Sequence, residues 1–219
     1  FKLQTLSFLL SSIARERCVA GLREIPAITF HSTKPKYSAS VLIPLCVANG
    51  EVCLLYTLRS AHLRNHQGQV SFPGGMTDGN EHAIDTALRE AEEEIGISRD
   101  SVDIWTIMPQ FQGRNKDILI TPVVGEILNF DMNQLKANEQ EVEEIFTVPM
   151  KSFCDTNVHA HFEYNKFQLP VYLMKHKIWG ITGLITHLFL QIFLPDTVYN
   201  PDFTRKRFDY KIYNKIAFP

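Results

Sequence analysis

Hydrophobic and polar positions change period several times along this chain. Val41–Val47 and Val52–Leu58 are nearly continuous apolar runs, split by Ala48-Asn49-Gly50. Such runs around an Asn-Gly turn predict two strands joined by a turn. Val70-Ser71-Phe72 is a short strand entering a Pro-Gly-Gly turn. From His82 to Ile95 the period becomes helical. Ile84, Ala87, Leu88, Ala91 and Ile95 share one face at the i, i+3, i+4, i+7 spacing, and Gly96 stops the helix. Strands are expected over Val102–Met108 and Ile118–Ile127, with Gln112-Gly113-Arg114-Asn115 as the turn between. Glu141–Val148 extends toward Pro149, His159–Leu173 reads as a hairpin, and Leu184–Leu194 closes the chain's pattern as a helix. Strands alternating with helices in this way predict an α/β fold, a mixed β-sheet sandwiched between helices.

Composition narrows the class. A chain of 219 residues, 45% hydrophobic, has enough material for one large core. A net charge of −2 argues against a nucleic-acid partner held by bulk charge. Residues 178–194 are the most apolar stretch, but they carry Thr182, Thr186, His187 and Gln191 and stop at Pro195. That is too short and too polar for a membrane span, so a buried helix is expected. Cys18, Cys46, Cys53 and Cys154 have no Cys-x-x-Cys spacing and read as free thiols of a reducing compartment. Residues 1–25 carry Lys2, Arg15, Arg17 and Arg23 with several Ser and Leu, but also Glu16 and Glu24. Two readings stand side by side, a targeting remnant and a helix packed on the domain. The basic stretch 203–219 is expected to be a solvated tail, and its Ala217-Phe218-Pro219 end disfavours a peroxisomal address.

The chemistry is concentrated on the helix. Glu90, Glu93 and Glu94 fall within an arc of roughly 100° beside the apolar stripe, while Glu92 points to solvent. Like charges at helical neighbour spacing destabilise a helix unless something offsets them. Oxygen-rich clusters of this kind suit Mg2+ or Mn2+, which also grip phosphates. Arg89 lies one turn before Glu93 and can steady it. A solvated acidic face is the ordinary alternative for such a helix. His159-x-His161 would face one side of a strand, but no third metal ligand accompanies the pair.

The spacing decides between these readings. Gly75, Glu81, Arg89-Glu90, Glu93-Glu94 and Gly96 fill Gly-x5-Glu-x7-Arg-Glu-x2-Glu-Glu-x-Gly at every fixed position. This resembles the box of the Nudix hydrolases, with Ile97 in its last hydrophobic slot and Ala91 where a larger aliphatic is usual. The resemblance implies the Nudix fold and cleavage of a diphosphate bond. It also implies a metal held by Glu90, Glu93, Glu94 and the Gly75 carbonyl, with Glu81 and Arg89 in support. Upstream, Leu55, Thr57, Arg59, Ser60, Arg64, Gly68 and Phe72-Pro73-Gly74-Gly75 resemble the motif of the coenzyme A diphosphatases within that family, with Tyr56 in place of Leu or Phe. The forked guanidinium groups of Arg59 and Arg64 suit phosphate oxygens, and Gly68, Gln69 and Phe72 complete the expected substrate contacts. His66 and Gln67 are nearby donors.

The acidic segment Asn138–Pro149, then Leu169–Tyr172 and Ile178–Gly183, are similar to the mitochondrial members of that branch. The resemblance covers residues 38–195, leaving 1–37 as an N-terminal extension and 196–219 as a basic tail. It implies CoA or a CoA ester as the small-molecule partner, split to 3′,5′-ADP and 4′-phosphopantetheine, in a mitochondrial setting, with a cytoplasmic one as the alternative. Catalysis is expected from Glu93 and Glu94 and from a loop base, Glu141 ahead of Glu139, with Glu143 and Glu144 as neighbours. An acyl pocket would draw on Phe130, Phe146, Phe153 and the Trp179 region. The alternatives are another Nudix substrate (ADP-ribose, NADH, a dinucleoside polyphosphate, capped RNA) or a non-catalytic nucleotide-binding module. The intact box argues against the last.

Overall fold

The computed structural model describes residues 6–30, 34–62, 67–113, 117–164 and 167–208. Two helices open the chain, α1 (Leu6–Leu9) and α2 (Ser12–Arg23). Strands β1 (Tyr37–Ala48), β2 (Glu51–Arg59), β3 (Val70–Ser71) and β4 (Gly74–Met76) precede helix α3 (Ala83–Ile95). Then come β5 (Val102–Ile107), β6 (Phe111–Gln112), β7 (Ile118–Ile127), β8 (Val142–Pro149), β9 (His159–Tyr164), β10 (Phe167–Tyr172) and helix α4 (Gly180–Phe193). No described helix is long and apolar enough to cross a membrane.

The sheet is mixed, as the sequence pattern predicts. β1 runs parallel to β7, and β1–β2 is the antiparallel hairpin, with Cys46 opposite Cys53. Asn49 and Gly50 both take positive φ (51° and 75°), the geometry a two-residue turn between right-twisted strands requires. Beyond Leu45 and Leu54 the two strands separate. On the edges they vacate, β3 pairs with Thr57 and Leu58 of β2, and β4 pairs with Ala39–Val41 of β1. The Phe72-Pro73-Gly74-Gly75 turn therefore sits in the wedge between two diverging strands. Leu42 N–H donates to the Pro73 carbonyl at 2.8 Å to hold it there. This wedge positions the site.

Alternation sends β1 and β2 side chains to two cores. Ile43, Leu45, Leu54 and Tyr56 join the larger core under α2, α4 and the β9–β10 hairpin. Leu42, Cys46, Cys53 and Leu55 meet Ala87, Leu88, Ala91 and Ile95 of α3 in the smaller one. The predicted helix stripe is thus the packed face, and Gly96 takes the left-handed φ of 71° at its end. Ala91, where a larger aliphatic is usual, is fully buried against the sheet.

Boundaries move by a few residues from the pattern-based expectations. α4 begins at Gly180 rather than Leu184, and β1 starts at Tyr37, because pairing with β7 continues past the apolar run. The short strands β4 and β6 carry no periodicity to read. Only Gln112 and Gly113 of the predicted 112–115 turn lie among the described residues.

The described segments before β1 and after α4 pack on the domain. In α2, Cys18 and Leu22 are buried, and a Cβ at Gly21 would come within 2.6 Å of Ile192 on α4. Arg15 forks onto Asp103, donates to the Ile104 carbonyl at 2.8 Å and lies over the Trp105 ring. For residues 203–208, the described part of the stretch 203–219, the expectation of a loose tail is corrected, and the rest lies outside the described residues. Tyr199 is buried with its hydroxyl 2.5 Å from that of Tyr172, and Phe208 N–H donates to the His161 carbonyl. The reason is composition: Tyr199, Phe203 and Phe208 give this basic segment an apolar side to bury.

Candidate functional site

The box residues assemble around the wedge. Helix α3 starts just after the β4 strand and runs beneath it, so its polar side faces the Gly74-Gly75 main chain. Arg89 is the hub. Its guanidinium bonds Glu81 at 2.9 and 3.1 Å, Glu90 at 2.9 Å and Glu93 at 3.2 Å, and it also donates to the Met76 carbonyl at 3.0 Å. The bond from Arg89 is the main reason the Glu81 carboxyl is held down to about 2, and Thr86 donates to Glu81 as well.

Glu94 occupies a different environment from its neighbours. It is only 2% exposed, although helical geometry sets it beside the apolar stripe rather than in it. The wedge covers it: Gly74 N–H donates to one carboxylate oxygen at 3.2 Å, and Arg59 lies 3.6 Å from the other. Burial pushes its pKa up to about 7, with Arg59 and Gly74 opposing and Glu141 and Glu90 reinforcing the shift. Glu90 is also raised, first by burial, and then by Glu93 and Glu141 against the pull of Arg89. A Cβ on Gly75 would stand 2.3 Å from a Glu90 oxygen, so this carboxylate lies directly on the Gly75 main chain.

These acids are therefore mutually repelling, partly desolvated and offset by two arginines. Among the described residues, no three acidic, His or Cys groups already converge on a single cation position. The donor set nonetheless fits a hard divalent cation, which oxygen ligands favour. Glu90, Glu93, Glu94 and the Gly75 carbonyl are the groups that would hold it.

The loop acids separate cleanly. Glu141 faces Glu90 and Glu94 closely enough to raise both, and its carbonyl accepts from Ser60 N–H at 2.8 Å. Glu144 turns the other way onto Lys175 and His176, which bond it at 2.6 and 2.8 Å and hold its carboxyl below the usual range. Glu139 and Glu143 are exposed.

The upstream motif fares unevenly. Arg59 reaches Glu94 of α3. Gly68 takes a φ of +60° and donates its N–H to the Arg59 carbonyl, so its role is to close a turn. Gln69 accepts from Arg59 N–H at 3.0 Å through its carbonyl. Phe72 is a correction: at 2% exposure it belongs to the larger core, stacked 4.7 Å from Tyr56, and does not face a substrate. Arg64 and His66 lie outside the described residues. The aromatic groups expected around an acyl pocket are also corrected. Phe153 is fully buried, and Phe146 stacks on Tyr56 and lies tilted against His176, whereas Trp179 lines a cavity.

The His pair is structural. His159 has one ring nitrogen 2.8 Å from the Phe153 carbonyl while the other accepts from Asp202 N–H, and His161 bonds the Phe203 carbonyl at 2.7 Å. Both rings tie the C-terminal segment to the β9–β10 hairpin. Two groups that sequence reasoning did not place are the Gly74 N–H and the Arg59–Glu94 pair. Both depend on the wedge, which leaves no periodic signal.

Replacing Arg89 tests the hub. Arg89→Ala is expected to weaken apparent Mg2+ affinity about 10- to 100-fold, the usual effect of losing a partner that orients ligands. Arg89→Lys should not restore it, because an ammonium cannot span Glu81 and Glu90 together. Titration of activity with Mg2+ checks both, and full rescue by lysine would show that charge alone matters.

A family model described as NUDIX domain matches residues 36–167. The mouse protein named Mitochondrial coenzyme A diphosphatase NUDT8 is 36% identical over 190 residues, covering 82% of this chain and 84% of its own. Nudix hydrolase 3 of Caenorhabditis elegans is 34% identical over 218 residues, 89% of this chain and 90% of its own. Among solved structures, the MutT/nudix family protein from Enterococcus faecalis shares the fold with a TM-score of 0.50 at 17% identity, covering 84% of this chain and 70% of that one.

Proposed function

This chain belongs to the Nudix family of hydrolases, and we propose that within it the chain is a divalent-metal-dependent diphosphatase of coenzyme A and its esters. The observation that carries the reading is the Arg59–Glu94 pair. It joins the upstream arginine motif to the buried carboxylate of the metal helix, so one site can hold both a cation and a phosphate. The 36% identity to a protein named as a coenzyme A diphosphatase supports the substrate class, and that name's mitochondrial setting is proposed here too.

The proposed chemistry follows from the side chains. Glu90, Glu93, Glu94 and the Gly75 carbonyl would hold Mg2+ or Mn2+. When bound, such a cation neutralises diphosphate oxygens and acidifies water. Arg59, at the mouth of the wedge, swings between Glu94 and a substrate phosphate, and Arg64 of the adjoining loop is assigned to the same anion. Gly74 N–H fixes the Glu94 carboxylate so that its second oxygen stays directed at the site. Glu141 takes the proton from the attacking water, being the loop acid that faces Glu90 and Glu94. Water adds to one phosphorus, the P–O–P bond breaks, and CoA yields 3′,5′-ADP and 4′-phosphopantetheine.

Mass spectrometry of products after incubation with CoA or ADP-ribose, in Mg2+ or Mn2+, tests this. Release of 3′,5′-ADP well above ADP-ribose cleavage is expected. Preference for ADP-ribose would keep the metal helix and discard the CoA reading of Arg59 and Arg64. No turnover of either would favour a non-catalytic module.

A further inference from the structure

The last carbonyls of a helix have no partner inside it. At the end of α3 the acidic segment supplies partners. Lys136 N–H donates to the Ile95 carbonyl at 3.0 Å, and Asn138 N–H donates to the Glu94 carbonyl at 2.9 Å. The left-handed turn at Gly96 lets the segment come this close, since a Cβ there would meet the Lys136 main-chain nitrogen at 3.3 Å. The segment that carries Glu141 is therefore bonded to the main chain of α3, at the very residue whose carboxylate is buried in the site.

Asn138 does more than cap the helix. Its carbonyl accepts from Glu141 N–H and from Val142 N–H, both at 2.8 Å, and its side-chain Oδ1 accepts from Gln140 N–H at 3.2 Å. An Asn side chain bonded to the main chain two residues on closes an Asx turn. A cap alone would need only the Asn138 N–H. The Oδ1 bond and the shared carbonyl shape the far end of the loop, where Glu141 sits. There the Glu141 carbonyl accepts from Ser60 N–H at 2.8 Å. The bonds form a closed ring. It runs from the Arg59 side chain to the Glu94 carboxylate, from the Glu94 carbonyl to Asn138, on to Glu141, and back to Ser60 beside Arg59. The arginine assigned to phosphate, the buried carboxylate and the loop acid are tied into one frame. The neighbouring acids stand outside it: Glu139 and Glu143 are exposed, and Glu144 is held by Lys175 and His176.

We propose that Asn138 is a positioning residue of the reaction: its Asx turn sets where Glu141 stands relative to the cation ligands of α3. The inference rests on the reading of Glu141 as the base. Asn138 acts through Glu141, so its loss slows the chemical step and leaves the binding of substrate and cation nearly as before. A misplacement of about 1 Å in a reacting group costs about a hundredfold. Losing one turn bond moves Glu141 by a fraction of that, so Asn138→Ala should lower kcat about tenfold.

A double-mutant cycle tests this. We would measure kcat, KM and apparent Mg2+ affinity for the wild-type chain, Asn138→Ala, Asn138→Asp, Glu141→Gln and the pair Asn138→Ala with Glu141→Gln. CoA and ADP-ribose serve as separate substrates, so the outcome does not depend on which is preferred. In Asn138→Ala, KM and Mg2+ affinity should stay within about twofold while kcat falls, the pattern of a group that matters only in the transition state. Asn138→Asp keeps an oxygen for Gln140 N–H and should recover most of the rate. Residues that act as a unit are not additive, so in the Glu141→Gln background Asn138→Ala should cost less than about twofold more. An equal loss in both backgrounds, or no recovery with Asp, would overturn the assignment of Asn138 while Glu141 stays the base. A Glu141→Gln enzyme with normal turnover would instead discard Glu141 as the base, and the assignment of Asn138 with it.

Discussion

Glu94→Gln is expected to lower kcat at saturating Mg2+ by roughly a thousandfold or more, while making the metal-free protein more stable at pH 8. The activity loss follows from the role of the carboxylate. A cation supplies several kcal/mol of transition-state stabilisation, and each 1.36 kcal/mol is tenfold in rate, so losing about 4 kcal/mol costs about a thousandfold. The amide keeps the shape and can still accept from Gly74 N–H, so the wedge survives. The stability gain follows from burial. Glu94 is 2% exposed, and desolvation raises its pKa from 4.5 to about 7 in the folded chain. A raised folded pKa means the native state holds its proton more tightly than the unfolded one. The stabilisation is fully present below pH 4.5 and is lost as pH rises through about 7. At pH 8 the ionised wild-type residue costs on the order of 3 kcal/mol, the help of Arg59 being already contained in the raised value. The amide carries no such penalty, so its melting temperature in chelator should exceed wild type by several degrees at pH 8 and converge with it near pH 4.5. Melting curves at the two pH values, beside initial rates, check both halves. A Glu94→Gln enzyme with normal turnover would sink the metal assignment.

The same contrast explains what could be read from the sequence. Elements with a strong local signal are legible: the helix stripe of α3, the Asn49-Gly50 turn and β7 match to within a residue or two, whereas β1 begins four residues before its apolar run. These signals are local, set by which face meets the core. The box and the upstream motif were legible because their spacing is fixed. What escaped has a long-range cause. Phe72 counts as a substrate contact through its place in the upstream motif, yet its ring packs onto Tyr56 while Gly74 and Gly75 face the carboxylates. Helix spacing groups Glu94 with Glu90 and Glu93, but it carries no sign that β2 and the β3–β4 turn close over Glu94 alone. Glu141 could not be separated from Glu139, Glu143 and Glu144 by spacing. The pairing of β2 with β8 shifts register between Leu58 and Arg59, opposite Glu144 and Val142, a long-range feature that spacing does not carry. Residues 196–208 looked merely basic because three aromatic residues at irregular intervals give no periodic signal.

Gly74→Ala and Gly75→Ala are expected to fail for different reasons, although the residues are adjacent. Gly74 has a φ of 153°, and a Cβ there would lie 2.3 Å from the Ser40 carbonyl oxygen and 2.6 Å from the Val41 Cα. Both are main-chain atoms of β1, in the centre of the sheet, and neither can move without opening the wedge. Strained backbone and overpacking each cost about 1–3 kcal/mol, so Gly74→Ala should lose on the order of 3 kcal/mol or more and melt about 10 °C lower. At Gly75 the added Cβ would meet the Glu90 carboxyl at 2.3–2.6 Å, the far end of a flexible side chain. Glu90 can swing aside, so the fold should hold to within about 1 kcal/mol. Turnover should still fall about a hundredfold, because a displacement of about 1 Å in a positioned catalytic group costs that much. Circular-dichroism melts and kcat measured on both variants decide the matter. A Gly75→Ala protein that unfolds as readily as Gly74→Ala would mean that the Glu90 contact supports the fold rather than the chemistry. A fully active one would remove Glu90 and the Gly75 main chain from the cation site.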